Sequence, residues 1–226
     1  MCGRFTLRTP TNLLVEQFLL PIEPDWNPRF NIAPTQSVAA VRIGEGGGRR
    51  EGVLLRWGLV PSWAKDSAMG SRLINARAET VAEKPSFRTA FKRRRCLIPA
   101  DGYYEWQKTG SRKQPYFIRM QDDRPFAFAG LWESWDKGGE GPLETCTVIT
   151  TSANELTADI HQRMPVILDQ HDYGVWLDAA IADRERLEPL LRPYPSSEMK
   201  LDPVSTYVNS PRNEGPNCVQ VQRELF

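Results

Sequence analysis

The chain predicts an α+β fold: one domain over residues 1–226, built on a mostly antiparallel, curved or barrel-like sheet with a few flanking helices. Three observations carry that expectation. Short segments rich in β-branched and aromatic residues outnumber helical ones. They follow one another as hairpins and do not alternate with long helices, which favours antiparallel pairing over βαβ units. No linker long enough to separate two domains interrupts them, and 226 residues with 40% hydrophobic content suffice for one large core.

In chain order, residues 11–20 read as a short amphipathic helix with Thr11 or Asn12 as its cap. Pro21, Pro24 and Pro28 then enforce extended or turning backbone. Residues 37–43 (SVAAVRI) read as a strand, 44–48 (GEGGG) as a loose loop and 53–57 as the returning strand. Further strands are expected at 96–99, 102–107, 116–120, 126–132, 145–150, 166–168 and 204–208, with a hairpin turn at 109–112. Helical stretches fit 85–93, 154–159 and 171–192.

The 29 basic and 28 acidic residues leave a formal net charge of +1, so any attraction to nucleic acid must come from a local patch. No run of about 20 apolar residues is present, which predicts no membrane span. The N-terminus lacks the charged-then-apolar order of a secretory signal, and an intracellular setting with reduced thiols is expected. Cys96, Cys146 and Cys218 lie far apart, and the histidines are only His161 and His171, so no metal-ligand spacing forms. Packing is the expected role of those three cysteines, and neither metal nor cofactor is expected.

The first residues, Met1-Cys2-Gly3-Arg4-Phe5, carry the strongest chemical signal. If Met1 is removed, Cys2 holds a free α-amine and a thiol together. The amine condenses with an aldehyde to an imine, and the thiol closes onto the imine carbon as a five-membered thiazolidine. The amine titrates at about 7.7–8 and the thiol at about 8.5 when unperturbed, so both react near neutrality. The alternative is that Cys2 is only the second residue of an ordinary chain.

Four other segments hold candidate chemistry. In an extended segment Asn75, Arg77 and Glu79 share one face. They either orient a substrate and take a phosphate, or form a solvated edge. Glu105 lies between Tyr104 and Trp106; aromatic surroundings would raise its carboxyl and suit it to acid–base work, but alternation also permits it to face water. His161 sits between Asp159 and Arg163, poised near neutral pH or simply closing a short helix. Arg4, Arg72, Arg77, Arg88 and Lys92-Arg93-Arg94-Arg95, with Trp57, Trp63 and Trp106, offer phosphate forks and stacking rings, or else solvated cations.

Seven segments in one order give these residues a common context: Met-Cys-Gly-Arg-Phe at 1–5, Asn-Ile-Ala-Pro-Thr at 31–35, Arg-Trp-Gly-Leu-Val-Pro-Ser-Trp at 56–63, Asn-Ala-Arg-Ala-Glu-Thr at 75–80, Pro-Ala-Asp-Gly-Tyr-Tyr-Glu-Trp at 99–106, Asp-Ile-His-Gln-Arg-Met-Pro at 159–165 and Val-Ser-Thr-Tyr-Val-Asn at 204–209. Together they resemble the SRAP (SOS response-associated peptidase) family, which shields abasic sites in DNA. The resemblance spans nearly the whole chain and implies a compact mixed domain with a positively charged groove for single-stranded DNA.

It further implies catalytic roles for Cys2, Asn75, Glu105 and His161, and DNA contacts for Arg4, Arg77 and Trp63. The expected activity is covalent capture of an abasic-site aldehyde by Cys2 as a thiazolidine, which protects the strand from cleavage; weak lyase activity would be a leak. The expected partner is single-stranded DNA containing abasic sites, including junctions with duplex, bound by a monomer in the cytoplasm of a bacterium or the nucleus of a eukaryote. Two alternatives remain at this level: a thiol peptidase or amidohydrolase with an N-terminal cysteine nucleophile, and a non-covalent single-strand binding module.

Overall fold

Hairpin pairing organises the chain, as the succession of short apolar strands predicts. The structure is a computed structural model that describes residues 2–44, 46–110, 112–139 and 141–222. In order, the strands are β1 (Phe5–Leu7), β2 (Arg29–Ile32), β3 (Ser37–Ile43), β4 (Arg50–Trp57), β5 (Asn75–Arg77), β6 (Arg95–Ala100) and β7 (Gly102–Thr109). They continue as β8 (Arg112–Met120), β9 (Phe126–Trp135), β10 (Leu143–Ser152), β11 (Arg163–Pro165), β12 (Ile167–Leu168) and β13 (Met199–Pro203).

Five strands close a barrel: β10 pairs β4, β4 pairs β3, β3 pairs β6, β6 pairs β9, and β9 returns to β10. Closure removes the open edges that an apolar sheet would otherwise present. Most pairings are antiparallel, but β10 runs parallel to both β4 and β5. A second sheet, ordered β13-β8-β7-β1-β2, lies beside the barrel. Its inner face enters the barrel core through Phe5 and Tyr103. Phe5 meets Trp57 and Phe128 edge-on at 5.2 and 5.6 Å between centroids, and Tyr103 meets Phe128 at 6.1 Å.

Asp101, at the corner between β6 and β7, ties the two sheets together. Its buried carboxylate accepts from Thr6 Oγ1 at 2.5 Å, from the Thr9 backbone N–H at 2.8 Å, from Thr9 Oγ1 and Arg8 Nε at 3.0 Å, and from the Arg8 backbone N–H. A second close approach sits beyond β4. Gly58 has φ +130°, and a Cβ there would lie 2.6 Å from the Gly70 carbonyl oxygen. This contact folds the connection from 58 to 74 against the barrel, exposing Trp63 on its outer side and returning the chain into β5.

Several elements differ from the sequence expectation. The first helix, α1 (Thr11–Phe18), follows Pro10; Thr11 donates to the Trp26 carbonyl at 2.8 Å and does not cap it, and Leu19 ends it in the left-handed region. Segment 154–159 forms hydrogen-bonded turns, because the Asn154 side chain accepts from both the N–H and the hydroxyl of Thr157. The long helix expected at 171–192 is broken into α3 (Tyr173–Leu177) and α4 (Arg184–Leu187) around capping Asp183 and Pro189; helix α2 (Arg88–Arg93) is shorter than the expected 85–93. Residues 204–208 form one isolated bridge, Val204 to Val221, followed by a 3-10 turn. The turn expected at 109–112 includes Ser111, and the loop at 44–48 includes Glu45; both residues lie outside the described residues.

The basic run at 92–95 is not one solvated patch. Arg95 is buried, and its guanidinium donates to five carbonyls: Trp176 and Asp178 at 2.5 Å, Phe91 at 2.7 Å, Ile181 at 2.9 Å and Lys92 at 3.0 Å. It thereby closes the ends of α2 and α3 against β6. Burial lowers its pKa to about 10, with Asp178 opposing that shift. Arg94 pairs with Glu133 at 2.6 Å. Arg95→Met removes all five bonds and leaves buried acceptors unserved, so it is expected to lower stability by about 3 kcal/mol in a denaturant titration.

Candidate active site

Four of the sequence-predicted residues converge where β1, β5, β7 and the approach to β11 meet. Cys2 is completely buried just ahead of β1, in the same apolar cluster as Phe5 and Tyr103. Its carbonyl accepts from Asn75 Nδ2 at 2.8 Å. Asn75 is placed by the parallel pairing of β5 with β10, in which Asn75 lies opposite Val148 and Arg77 opposite Thr150. The other amide atom, Asn75 Oδ1, is buried without a hydrogen-bond partner. A buried acceptor left open in this way is suited to receive a donor from a bound molecule.

Glu105 is brought in by β7. Phe5 pairs with Tyr103, and the Tyr104 N–H donates to the Arg4 carbonyl at 2.9 Å. Strand alternation then puts Tyr103 and Glu105 on the barrel face and Tyr104 and Trp106 on the other. The reading in which Glu105 faces water is excluded: it is 5% exposed. The outer face is covered too, because Tyr104 and Trp106 pack with Phe117, Val204 and Val208 in a separate cluster. Burial raises the Glu105 pKa above the ordinary carboxyl value, and His161 and the Trp106 backbone N–H oppose that rise. The Cys2 thiol is also pushed up, first by burial and then by the Glu105 charge, while the Arg4 backbone N–H opposes the shift.

His161 follows the turns from Asn154. Its backbone N–H donates to the Thr157 carbonyl at 3.0 Å. The Arg163 N–H donates to His161 Nδ1 at 2.9 Å, and the Arg163 carbonyl lies 3.2 Å from the same nitrogen. The shorter contact assigns Nδ1 as acceptor, so the neutral ring carries its proton on Nε2. The expected tuning of His161 by the Arg163 charge is corrected here. That guanidinium is held by Glu79 at 2.5 and 3.0 Å and by the Thr150 carbonyl at 2.6 Å, and the residue serves His161 through its backbone. Asp159 meets Gln107 through its carbonyl at 3.3 Å.

The three expected DNA contacts occupy different environments. Arg77 is exposed at the end of β5. Trp63 is 52% exposed, with Nε1 directed at the Pro85 carbonyl at 3.4 Å. Arg4 is only partly open: NH1 donates to Asn31 Oδ1 at 2.7 Å and to the Val208 carbonyl at 2.8 Å, and its guanidinium lies 5.6 Å from the Trp106 ring centroid. The shared face expected of residues 75, 77 and 79 ends at Arg77, because β5 stops there and Glu79 turns to Arg163.

Tyr103 was not among the sequence-predicted site residues. It is completely buried, its hydroxyl has no hydrogen-bond partner, and its pKa is raised well above normal by burial, then by Cys2 and Glu105. Its position two residues before Glu105 on a strand was the available signal. Among the described residues no group of three His, Cys, Asp or Glu side chains is arranged to hold a metal, and no helix is long and apolar enough to cross a membrane.

Comparison with known proteins matches this architecture and its motifs. The family model for SOS response associated peptidase (SRAP) covers residues 1–211. The chain is 46% identical over 225 residues to abasic site processing protein YoqW of Bacillus subtilis, covering 97% of this chain and 99% of that protein. It is 36% identical to abasic site processing protein HMCES of Gallus gallus, covering 87% of this chain and 69% of the relative. Among solved structures, a Bacteroides thetaiotaomicron protein superposes with a TM-score of 0.87 at 26% identity, over 98% of this chain and 100% of that one. The chain belongs to the SOS response-associated peptidase (SRAP) family.

Proposed function

We propose that the protein processes abasic sites in single-stranded DNA by capturing the open-chain sugar aldehyde on Cys2 as a thiazolidine, after loss of Met1. Met1 itself lies outside the described residues. The observation that carries the reading is the Cys2 carbonyl held by Asn75 beside a buried carboxyl of raised pKa. The abasic-site processing relatives support the substrate class.

Removal of Met1 converts the Cys2 amide nitrogen into an α-amine at a position already oriented by the Asn75 bond. Glu105, protonated to higher pH than an ordinary carboxyl, donates to the ring oxygen as the sugar hemiacetal opens. The amine adds to the aldehyde carbon and water leaves, giving an imine. The thiol adds across that imine: sulfur bonds to carbon and the proton ends on nitrogen. Holding amine, thiol and aldehyde together replaces separate encounters, an effect that reaches about 7–11 kcal/mol in well-oriented reactions.

His161, with its proton on Nε2, donates during sugar opening and recovers that proton during reversal. Closure removes the C=N electron sink that would acidify the neighbouring sugar carbon and invite β-elimination, so the strand stays whole. Arg77 meets backbone phosphate and Trp63 stacks on an exposed base, contacts that tolerate any sequence.

The direct test incubates the protein with a single-stranded oligonucleotide carrying an abasic site and resolves adducts on a denaturing gel. A heat-stable adduct is expected, absent from Cys2→Ala and from a protein extended ahead of Cys2; an unchanged adduct in either variant overturns the aminothiol. Peptide cleavage in trans would instead favour the thiol hydrolase. Arg77→Ala is expected to weaken binding to the same strand, with the slope of log affinity against log salt falling by about 0.7. Retained affinity and slope would remove Arg77 from the groove.

Glu105→Gln is expected to slow adduct formation while DNA binding persists. Its effect on stability has a definite sign. A carboxyl whose folded pKa is raised binds its proton more tightly in the native state, so stability falls as pH rises from the ordinary carboxyl value through the raised one. Gln has no such titration. The melting temperature of Glu105→Gln relative to the parent should therefore climb across that window and then level off.

A further inference from the structure

Every buried polar side chain near the site has a part in this mechanism except the Tyr103 hydroxyl. It is completely buried and has no hydrogen-bond partner. Leaving a hydroxyl unserved in the core is unfavourable, and phenylalanine would fill the same space without that penalty. The ring alone satisfies the packing, through the edge-on contact with Phe128 and the pairing of Tyr103 with Phe5. The oxygen therefore has no structural reason to be present. Its surroundings suggest a chemical one. Tyr103 shares a buried cluster with Cys2 and a strand face with Glu105.

We propose that the Tyr103 hydroxyl donates a hydrogen bond to the Cys2 sulfur as the thiol yields its proton, and so drives closure of the imine to the thiazolidine. The inference rests on the aminothiol reading above and deepens it. In closure a sulfur lone pair forms the S–C bond, the C=N π pair moves to nitrogen, and the thiol proton is delivered to that nitrogen. Nothing is oxidised or reduced. The thiol is handicapped at the start, because burial and the Glu105 charge both disfavour its ionised form. A neutral donor offsets that handicap without adding a second charge, and tyrosine keeps its proton here because burial raises its pKa. The titratable groups facing the sulfur are then Tyr103 and Glu105 of β7 and the α-amine of Cys2 itself, with His161 acting on Glu105 from the β11 side.

The test compares the parent protein, Cys2→Ala and Tyr103→Phe on an abasic-site oligonucleotide across a pH series. Borohydride reports the imine, and survival of the adduct on heating reports closure. In Tyr103→Phe the imine should form at the parental rate while closure slows about tenfold or more. Its pH profile should move about one unit to the alkaline side, and strand cleavage by β-elimination should increase. The melting temperature should stay equal or rise, which separates this loss from misfolding. A ring-fluorinated tyrosine at position 103 retains the shape and strengthens the donor; it should close the ring with a profile moved to lower pH. Closure by Tyr103→Phe at the parental rate with an unmoved profile overturns the proposal. A parent protein that forms no Cys2-dependent adduct overturns the underlying reading instead, so the two failures are distinct.

Discussion

The hydrogen bond from Asn75 to the Cys2 carbonyl is the contact on which the site depends. Residues near a chain terminus fray unless something ties them down. Here β5 is locked by its parallel pairing with β10, and its first residue reaches across to fix residue 2. The ladder between β1 and β7 fixes the other side, through Phe5 opposite Tyr103. Two sheets thus clamp one short segment, and a reactive group on that segment inherits the rigidity of a barrel wall. Asp101 secures the corner between those sheets with five acceptor contacts to β1 and the residues after it.

Burial sets the electrostatics of the clamped segment. Thiol, carboxyl and phenol are all pushed toward their neutral forms, because the charged form of each loses hydration. Each charge also opposes the others, so the site favours one ionisation at a time. Carbonyl condensation benefits from this. Its steps pass protons between neighbours and need no stable ion pair. His161 is held in one tautomer by a backbone donor from β11, which orients the ring without adding a charge.

The arginines divide along the same physical line. Arg95 is consumed by helix-end carbonyls, Arg163 by Glu79 and Thr150, and one amino group of Arg4 by Asn31 and Val208. These cations order the protein. Arg77 keeps an exposed guanidinium at the end of β5, two residues from Asn75, where a phosphate beside a bound sugar would fall. A net charge of +1 is compatible with such a site, because position outweighs total charge within a Debye length.

Local chemistry was legible without coordinates. Strand-forming runs such as 37–43 and 126–132 marked real barrel strands, since alternation and β-branching act within a few residues. The aminothiol potential of Cys2, the seven ordered motifs and the candidate set of Asn75, Glu105 and His161 were also visible, because residue type and order carry them. Short strands such as β1, β2, β11 and β13 were not, because their extended form comes from pairing with distant partners. The direction faced by Glu105, the split of 171–192 into two helices and the separate fates of Arg94 and Arg95 were likewise decided by tertiary contacts. So was the buried, unserved hydroxyl of Tyr103. A sequence states which donors and acceptors exist, but only packing decides which of them are removed from water and which neighbour each one meets.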